Sequence, residues 1–190
     1  MSLFAELSPP YSTIVADPPW HYDEGFPTQS RSPSRGWSAA VETKALPYSG
    51  MSVDDICDLP VATLAAGACR LFLWTTNRYL PDSFRVMEAW GFRYRQMLVW
   101  HKRDGNMGGS VAPCSAEFLL VGVLGAPPVL AKWGTAVLSA PQSKTHSKKP
   151  AAFLDLVETV SPGPYVELFA RAPRLGWDSW GKGYELSGAA

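Results

Sequence analysis

The sequence predicts an α/β protein built on a mostly parallel sheet, and three observations carry that prediction. Three apolar runs, Ile14-Val15-Ala16, Leu71-Phe72-Leu73-Trp74 and Met97-Leu98-Val99-Trp100, give way at once to polar residues: Asp17, Thr75-Thr76-Asn77 and His101-Lys102. Helix-period stretches separate the strand-like ones, as parallel strands require. The runs are continuously apolar rather than alternating, which is the pattern of strands covered on both faces. Ligands of such sheets gather beyond the carboxyl ends of the strands. That rule puts Asp17, Thr76, Asn77, His101, Lys102 and Arg171 on one rim.

The first strand, Ser12 to Ala16, is short and β-branched and ends in Asp17-Pro18-Pro19-Trp20. Two successive prolines fix φ and remove two backbone donors, so the carbonyls there are free to meet something other than a sheet partner. An ordinary strand-to-loop turn punctuated by Asp and Pro is the plain alternative. From His21 to Gly50 the composition turns to Ser, Pro, Arg, Gly and Thr without a period. A connection of that length is usually functional or disordered, and its attachment to the motif favours a substrate-facing loop over 21–50. Its basic residues Arg31, Arg35 and Lys44 are matched by Asp23, Glu24 and Glu42.

Ser52 with Asp55 resembles a capping box, opening a helical stretch through Ile56 and Leu59 to Leu64 and Ala65, broken at Pro60 and ended by Gly67. Leu71 to Trp74 is a strand. Asp82 can cap a helix carrying Phe84, Met87 and Trp90, closed by Gly91. Gln96 to Trp100 and Phe118 to Val123 read as strands on either side of a flexible turn at Asp104 to Gly109, and Val129 to Leu138 as one more. Ser147-Lys148-Lys149-Pro150 opens a helix with Pro at its first position, and Phe153, Leu156, Val157 and Val160 follow the helical spacing. After Ser161-Pro162-Gly163-Pro164, the strand Tyr165 to Phe169 delivers Arg171 to its end. The tail to Tyr184 is rich in Gly and Trp.

With 190 residues and 46% hydrophobic content, the chain fits a single domain over 1–190. Lys+Arg 17 against Asp+Glu 17 leaves a net charge of zero, so any hold on a phosphate backbone is local or shared with a partner. The dispersed Cys57, Cys69 and Cys114 fit neither a disulfide framework nor a zinc spacing and point to a reducing, cytoplasmic setting. No export signal or membrane span is expected. His21, His101 and His146 are too far apart to suggest a metal site. No Gly-x-Gly-x-x-Gly marks a dinucleotide site.

Asp17-Pro18-Pro19-Trp20 resembles the catalytic motif of the S-adenosylmethionine-dependent adenine amino-methyltransferases, the group that includes the catalytic subunit of the eukaryotic messenger-RNA methyltransferase. Other pieces occur in the order found in that family: Leu73-Trp74-Thr75-Thr76-Asn77, Trp90-Gly91-Phe92, Trp100-His101-Lys102, Glu117, His146-Ser147-Lys148-Lys149-Pro150, and Glu167-Leu168-Phe169-Ala170-Arg171 with Gly176-Trp177. The resemblance runs from about Ile14 to Glu185 and is closest to small bacterial or viral members. It implies a Rossmann-like class I methyltransferase sheet in permuted order, with the catalytic motif before the cofactor motif. It also implies S-adenosylmethionine as cofactor, held by Asp17, Lys149, Glu167 and Arg171, and an adenine-containing DNA or RNA met by Trp20, Tyr22, Asn77 and Lys102. Where the family often has Gly-Asn-Glu, this chain has Gly181-Lys182-Gly183.

The expected chemistry follows from the substrate. An adenine amino nitrogen shares its lone pair with the ring, and its proton is too weakly acidic for a carboxylate to remove outright. Asp17 and the Pro18 carbonyl, each accepting one amino hydrogen, would orient and pyramidalise the nitrogen toward a methyl donor. Trp20 would stack on a base that is flipped out or single-stranded. Adenine 6-amino methylation, with DNA slightly favoured over RNA, is the leading expectation. A silent nucleic-acid-binding scaffold and a protein-amide methyltransferase are the alternatives. A partner subunit or a second copy of the chain would supply part of the grip.

Overall fold

The computed structural model describes residues 3–22, 26–28, 42–44, 50–103, 111–142 and 149–181. Its centre is a seven-stranded sheet. β1 (Tyr11–Ala16), β4 (Ala65–Thr75), β5 (Arg93–Lys102), β6 (Ala116–Leu124), β7 (Val137–Ala140), β8 (Tyr165–Leu168) and β9 (Trp177–Trp180) lie in the order β7-β5-β6-β4-β1-β8-β9. β2 (Phe26–Thr28) and β3 (Glu42–Lys44) form a separate antiparallel pair. β1 takes β4 on one side and β8 on the other, both in parallel. Strand order therefore diverges at β1, and its end is the natural crevice of the sheet.

Four of the six sheet pairings are parallel, while β6 runs antiparallel to both β4 and β5. The expectation of a mostly parallel sheet holds with that one reversal. Reversing β6 brings the start of that strand, Glu117, to the rim where β1, β4 and β5 end.

Alternate residues of β4 divide the core. Cys69, Leu71 and Leu73 face one layer with Ile56, Val86 and Trp90, and Phe72 and Trp74 face the other with Phe153, Leu156 and Val157. The first layer is covered by α1 (Val53–Cys57), a 3-10 turn (Val61–Leu64) and α2 (Leu80–Ala89); the second by α3 (Ala151–Val160). Each fully buried aliphatic side chain contributes about 1.5–3 kcal/mol of transfer free energy. Among the described residues no helix is long and apolar enough to cross a membrane.

Half of the capping box is present: the Ser52 hydroxyl accepts the Asp55 N–H at 3.1 Å and itself donates to Asp55 Oδ2 at 2.7 Å. The helix it opens is shorter than expected, because Pro60 interrupts it and Ala65 already begins β4. Gly67 lies within that strand and does not end a helix. In α2 the cap is Tyr79 rather than Asp82, since Pro81 is accommodated in the first turn, and Phe84 is 40% exposed. α3 buries Phe153, Leu156 and Val157 as the spacing predicts, with Pro150 as its N-cap, one position earlier than expected. Of Val129 to Leu138 only the end is strand: Pro127 and Pro128 lack donors, and the following residues run over the surface. The 21–50 connection contains the β2–β3 pair, which sequence reasoning missed, as it missed β9. Arg31, Arg35, the turn at 104–109, and Lys144, His146, Lys148 and Lys182 lie outside the described residues.

Candidate active site

The Asp17-to-Trp20 stretch leaves β1 at the centre of the rim. The Asp17 N–H still reaches the Leu168 carbonyl of β8 at 3.4 Å, so the carboxylate starts from anchored backbone. Pro18 O accepts the Trp20 N–H at 2.9 Å, and Pro19 O accepts the Met51 N–H at 2.7 Å. The chain thus returns from the 21–50 excursion onto the motif itself. Gly50 is required at that closure, because a Cβ there would stand 2.4 Å from the His21 Cα.

Asp17, Lys149 and Arg171, three of the residues that the resemblance assigns to the cofactor, come together. Lys149 Nζ, just ahead of α3, donates to both Asp17 oxygens at 2.9 Å, and Arg171 stands 3.8 Å from the same carboxylate. Phe169 turns the chain toward Arg171 with φ of 61°, a left-handed conformation uncommon for a bulky residue and concentrated at functional sites. Gly181 accommodates that turn, since a Cβ there would lie 2.8 Å from the Phe169 Cα.

A second carboxylate, Glu117, organises the other side and was not among the residues expected to act. Its oxygens meet Lys102 Nζ at 2.5 Å and Lys149 Nζ at 3.1 Å. Its signal in the sequence was only its place in the ordered set of motifs. An alternating chain of charge results: Arg171, Asp17, Lys149, Glu117, Lys102. Burial would raise the Glu117 carboxyl, but Lys149 and Lys102 outweigh it and hold it below the usual range. Burial likewise works against the Lys149 ammonium, and Asp17 and Glu117 prevail, keeping it protonated above its usual pKa. Trp74 and Trp100 floor the network, with the two ammonium groups 5.2 Å and 5.0 Å from their ring centres.

Glu167 lies on the same face of the sheet, paired in register with Val15. Burial, reinforced by the Asp17 charge, pushes its carboxyl up to about 7, with Arg174, Arg171 and Lys149 opposing.

Lys102 is a correction. The polar end of β5 suggested a rim residue open to substrate, yet its side chain is 2% exposed and bonded to Glu117. Trp20 is a second correction: at 4% exposure, with its ring stacked on Tyr79 at 5.1 Å and 15° and its Nε1 donating to Trp74 O at 3.3 Å, it presents no open face to a base. Tyr22 is half-buried and its hydroxyl is 2.8 Å from the Thr76 hydroxyl, while Asn77 is exposed in the turn beyond β4. No group of three metal-ligating side chains occurs among the described residues.

The family model described as MT-A70 matches residues 11–183. Among named proteins, the Type II methyltransferase M.MunI of Mycoplasma sp is 31% identical over 180 residues, covering 90% of this chain and 76% of that protein. A putative N(6)-adenosine-methyltransferase MT-A70-like protein of Medicago truncatula is 31% identical over 189 residues, 94% of this chain but 27% of that protein. The human N(6)-adenine-specific methyltransferase METTL4 is 30% identical over 190 residues, 90% of this chain and 37% of that protein. Together with the seven-stranded sheet and the position of Asp17-Pro18-Pro19-Trp20 at its central strand end, the match over residues 11–183 establishes that the chain belongs to the MT-A70 family.

Proposed function

We propose that this chain moves a methyl group from S-adenosylmethionine to the exocyclic 6-amino group of adenine in nucleic acid. The observation that carries the reading is the Asp17 carboxylate at the end of the central strand, flanked by Lys149 at 2.9 Å and Arg171 at 3.8 Å. This donor set fits the cofactor. The Lys149 ammonium suits its α-carboxylate, and the Asp17 carboxylate suits its α-amine. Lys149 and Asp17 would hold that amino-acid end, with Arg171 and Glu167 nearer the ribose. When bound, the cofactor supplies a sulfonium-activated methyl.

The residues of the chain then act on the adenine. Pro18 O keeps one lone pair after bonding Trp20 N–H, and it can accept one amino hydrogen. Asp17 accepts the other, provided Lys149 shares or yields part of its double contact. With both hydrogens held, the nitrogen lone pair would be directed outward, toward the methyl that the bound cofactor would supply. The surplus proton of the methylated nitrogen would leave along its hydrogen bond to the Asp17 carboxylate. Orientation and preorganised charge carry this step, and no strong base is required.

DNA is favoured slightly over RNA. The support is the Type II methyltransferase of Mycoplasma sp, most of whose length the chain covers. With a net charge of zero, a partner subunit or a second copy contributes to strand binding. Incubation with methyl-labelled S-adenosylmethionine and duplex DNA, single-stranded DNA, RNA or cell protein, followed by nucleoside mass analysis, tests the reading. 6-Methyladenine in DNA supports it; label confined to protein, or no transfer with cofactor still bound, contradicts it.

A further inference from the structure

Arg78 lies in the turn that joins β4 to α2, beside the motif. Its guanidinium carbon is 5.6 Å from the Tyr22 ring centre and 5.8 Å from that of Tyr79. Those two rings meet edge to face at 5.1 Å and 85°, and Trp20 stacks flat on Tyr79. A shelf of three aromatic rings therefore leads from the motif out to one cation. Arg78 is exposed, and among the described residues it makes no ion pair and donates no hydrogen bond. Arg85, Arg171 and Arg174, by contrast, meet Asp54, Asp17, and Asp155 with Glu158.

We infer that Arg78 grips a backbone phosphate of the strand that carries the target adenine, next to the reacting nucleotide. The inference rests on the proposed function for the identity of the substrate and adds a contact to it. The Arg78 guanidinium is held beside two rings yet exposed to solvent, so its planar fork of N–H donors remains available to match two phosphate oxygens. Holding it there before binding reduces the ordering cost when the strand arrives. The enclosed Trp20 is not available for base stacking in this arrangement, so the shelf serves to place the cation. In a chain of zero net charge, a local contact of this kind is where phosphate affinity must come from. The contact carries no base information. It sets affinity and register, and leaves the transfer step to Asp17.

The test uses the full chain and its Arg78→Ala and Arg78→Lys variants with a single-stranded DNA oligonucleotide containing one adenine. Binding is followed by fluorescence anisotropy over a range of salt, and methyl transfer is measured in parallel. Arg78→Ala is expected to raise both Kd and KM for the oligonucleotide about ten-fold, with kcat and cofactor affinity unchanged. It should also reduce the slope of log Kd against log salt by about 0.7, the contribution of one single-strand phosphate contact. Arg78→Lys should restore the slope and only part of the affinity, since a point charge lacks the fork. Retained cofactor affinity shows that the variants are folded. An unchanged Kd and slope in Arg78→Ala overturns the contact while leaving the proposed activity in place. A wild-type chain that binds the oligonucleotide but transfers no methyl contradicts the activity, and a reduced slope in Arg78→Ala still supports the contact. A wild-type chain that binds no oligonucleotide overturns both.

Discussion

Lys149 holds both carboxylate oxygens of Asp17 at 2.9 Å while also touching Glu117 at 3.1 Å. Three carboxylate oxygens thus surround its ammonium, and the one carboxylate of the Asp17-to-Trp20 motif is paired with a lysine 132 residues further along the chain. Any ligand that uses Asp17 must share it with Lys149. Any anion that attracts Lys149 makes Asp17 a better acceptor.

Replacing that lysine should weaken cofactor binding before it affects the fold. Lys149→Gln is expected to raise the cofactor Kd at least about ten-fold, the scale of one charge-assisted contact. Isothermal titration checks it, and an unchanged Kd would remove Lys149 from the cofactor site.

Glu117 is expected to matter for stability as well as for positioning. Glu117→Gln removes the charge that the enclosed Lys102 meets at 2.5 Å, and breaking a buried pair of this kind costs about 3 kcal/mol. Urea denaturation measures the loss. The double variant Glu117→Gln with Lys102→Met should recover part of it, because the ammonium then no longer needs a counter-charge.

The pH dependence of stability has two opposing parts. Burial pushes the Glu167 carboxyl up to about 7 in the folded protein from its ordinary 4.5, so the folded state holds the extra proton between those values. Stability from this group is full below about 4.5 and falls as pH rises to about 7, by at most about 3 kcal/mol. Glu117, lowered in the folded state, contributes the opposite way: its share is present above 4.5 and is lost on acidification below that value. Glu167→Gln should therefore flatten the stability profile between pH 4.5 and 7 while leaving the acid limb intact, as thermal melting across pH will show.

The base of the 21–50 excursion is tightly packed, and it bears directly on the motif. Gly50→Ala places a methyl against the His21 backbone, where an ideal Cβ would be 2.4 Å away. The expected cost is about 1–3 kcal/mol of overpacking, seen as a lower melting temperature. Because Met51 N–H bonds Pro19 O, turnover should drop with cofactor affinity retained.

Local patterns made the strand ends legible, and with them Asp17 and Arg171, while Lys149 was singled out by its place in the ordered motifs ahead of a helix start. Residues whose roles depend on non-local partners were not. The apolar run Phe118 to Val123 reads alike in either direction, so the antiparallel placement of β6, and Glu117 as a hub between two lysines, could not be seen. Lys102 follows a strand and was expected at the rim, but pairing with Glu117 draws it inward. Trp20 carries the stacking surface a base would use, and only the fold reveals Tyr79 already on it. Gly67 and the residues before it had the composition of a helix end, yet Ala65 pairs with Tyr11 of β1 and the strand runs on through Gly67 to Cys69, where pairing with β6 begins.

The central claim is that Asp17 orients the amino group for transfer. It is tested most directly by single-turnover methyl transfer to an adenine-containing oligonucleotide, comparing the wild-type chain with Asp17→Asn at saturating cofactor. The account predicts a loss of at least about 10²-fold in the transfer rate, the scale of removing one preorganised polar contact at a reacting centre, with 6-methyladenine formed by the wild type. An Asp17→Asn variant that transfers methyl at the wild-type rate would contradict it.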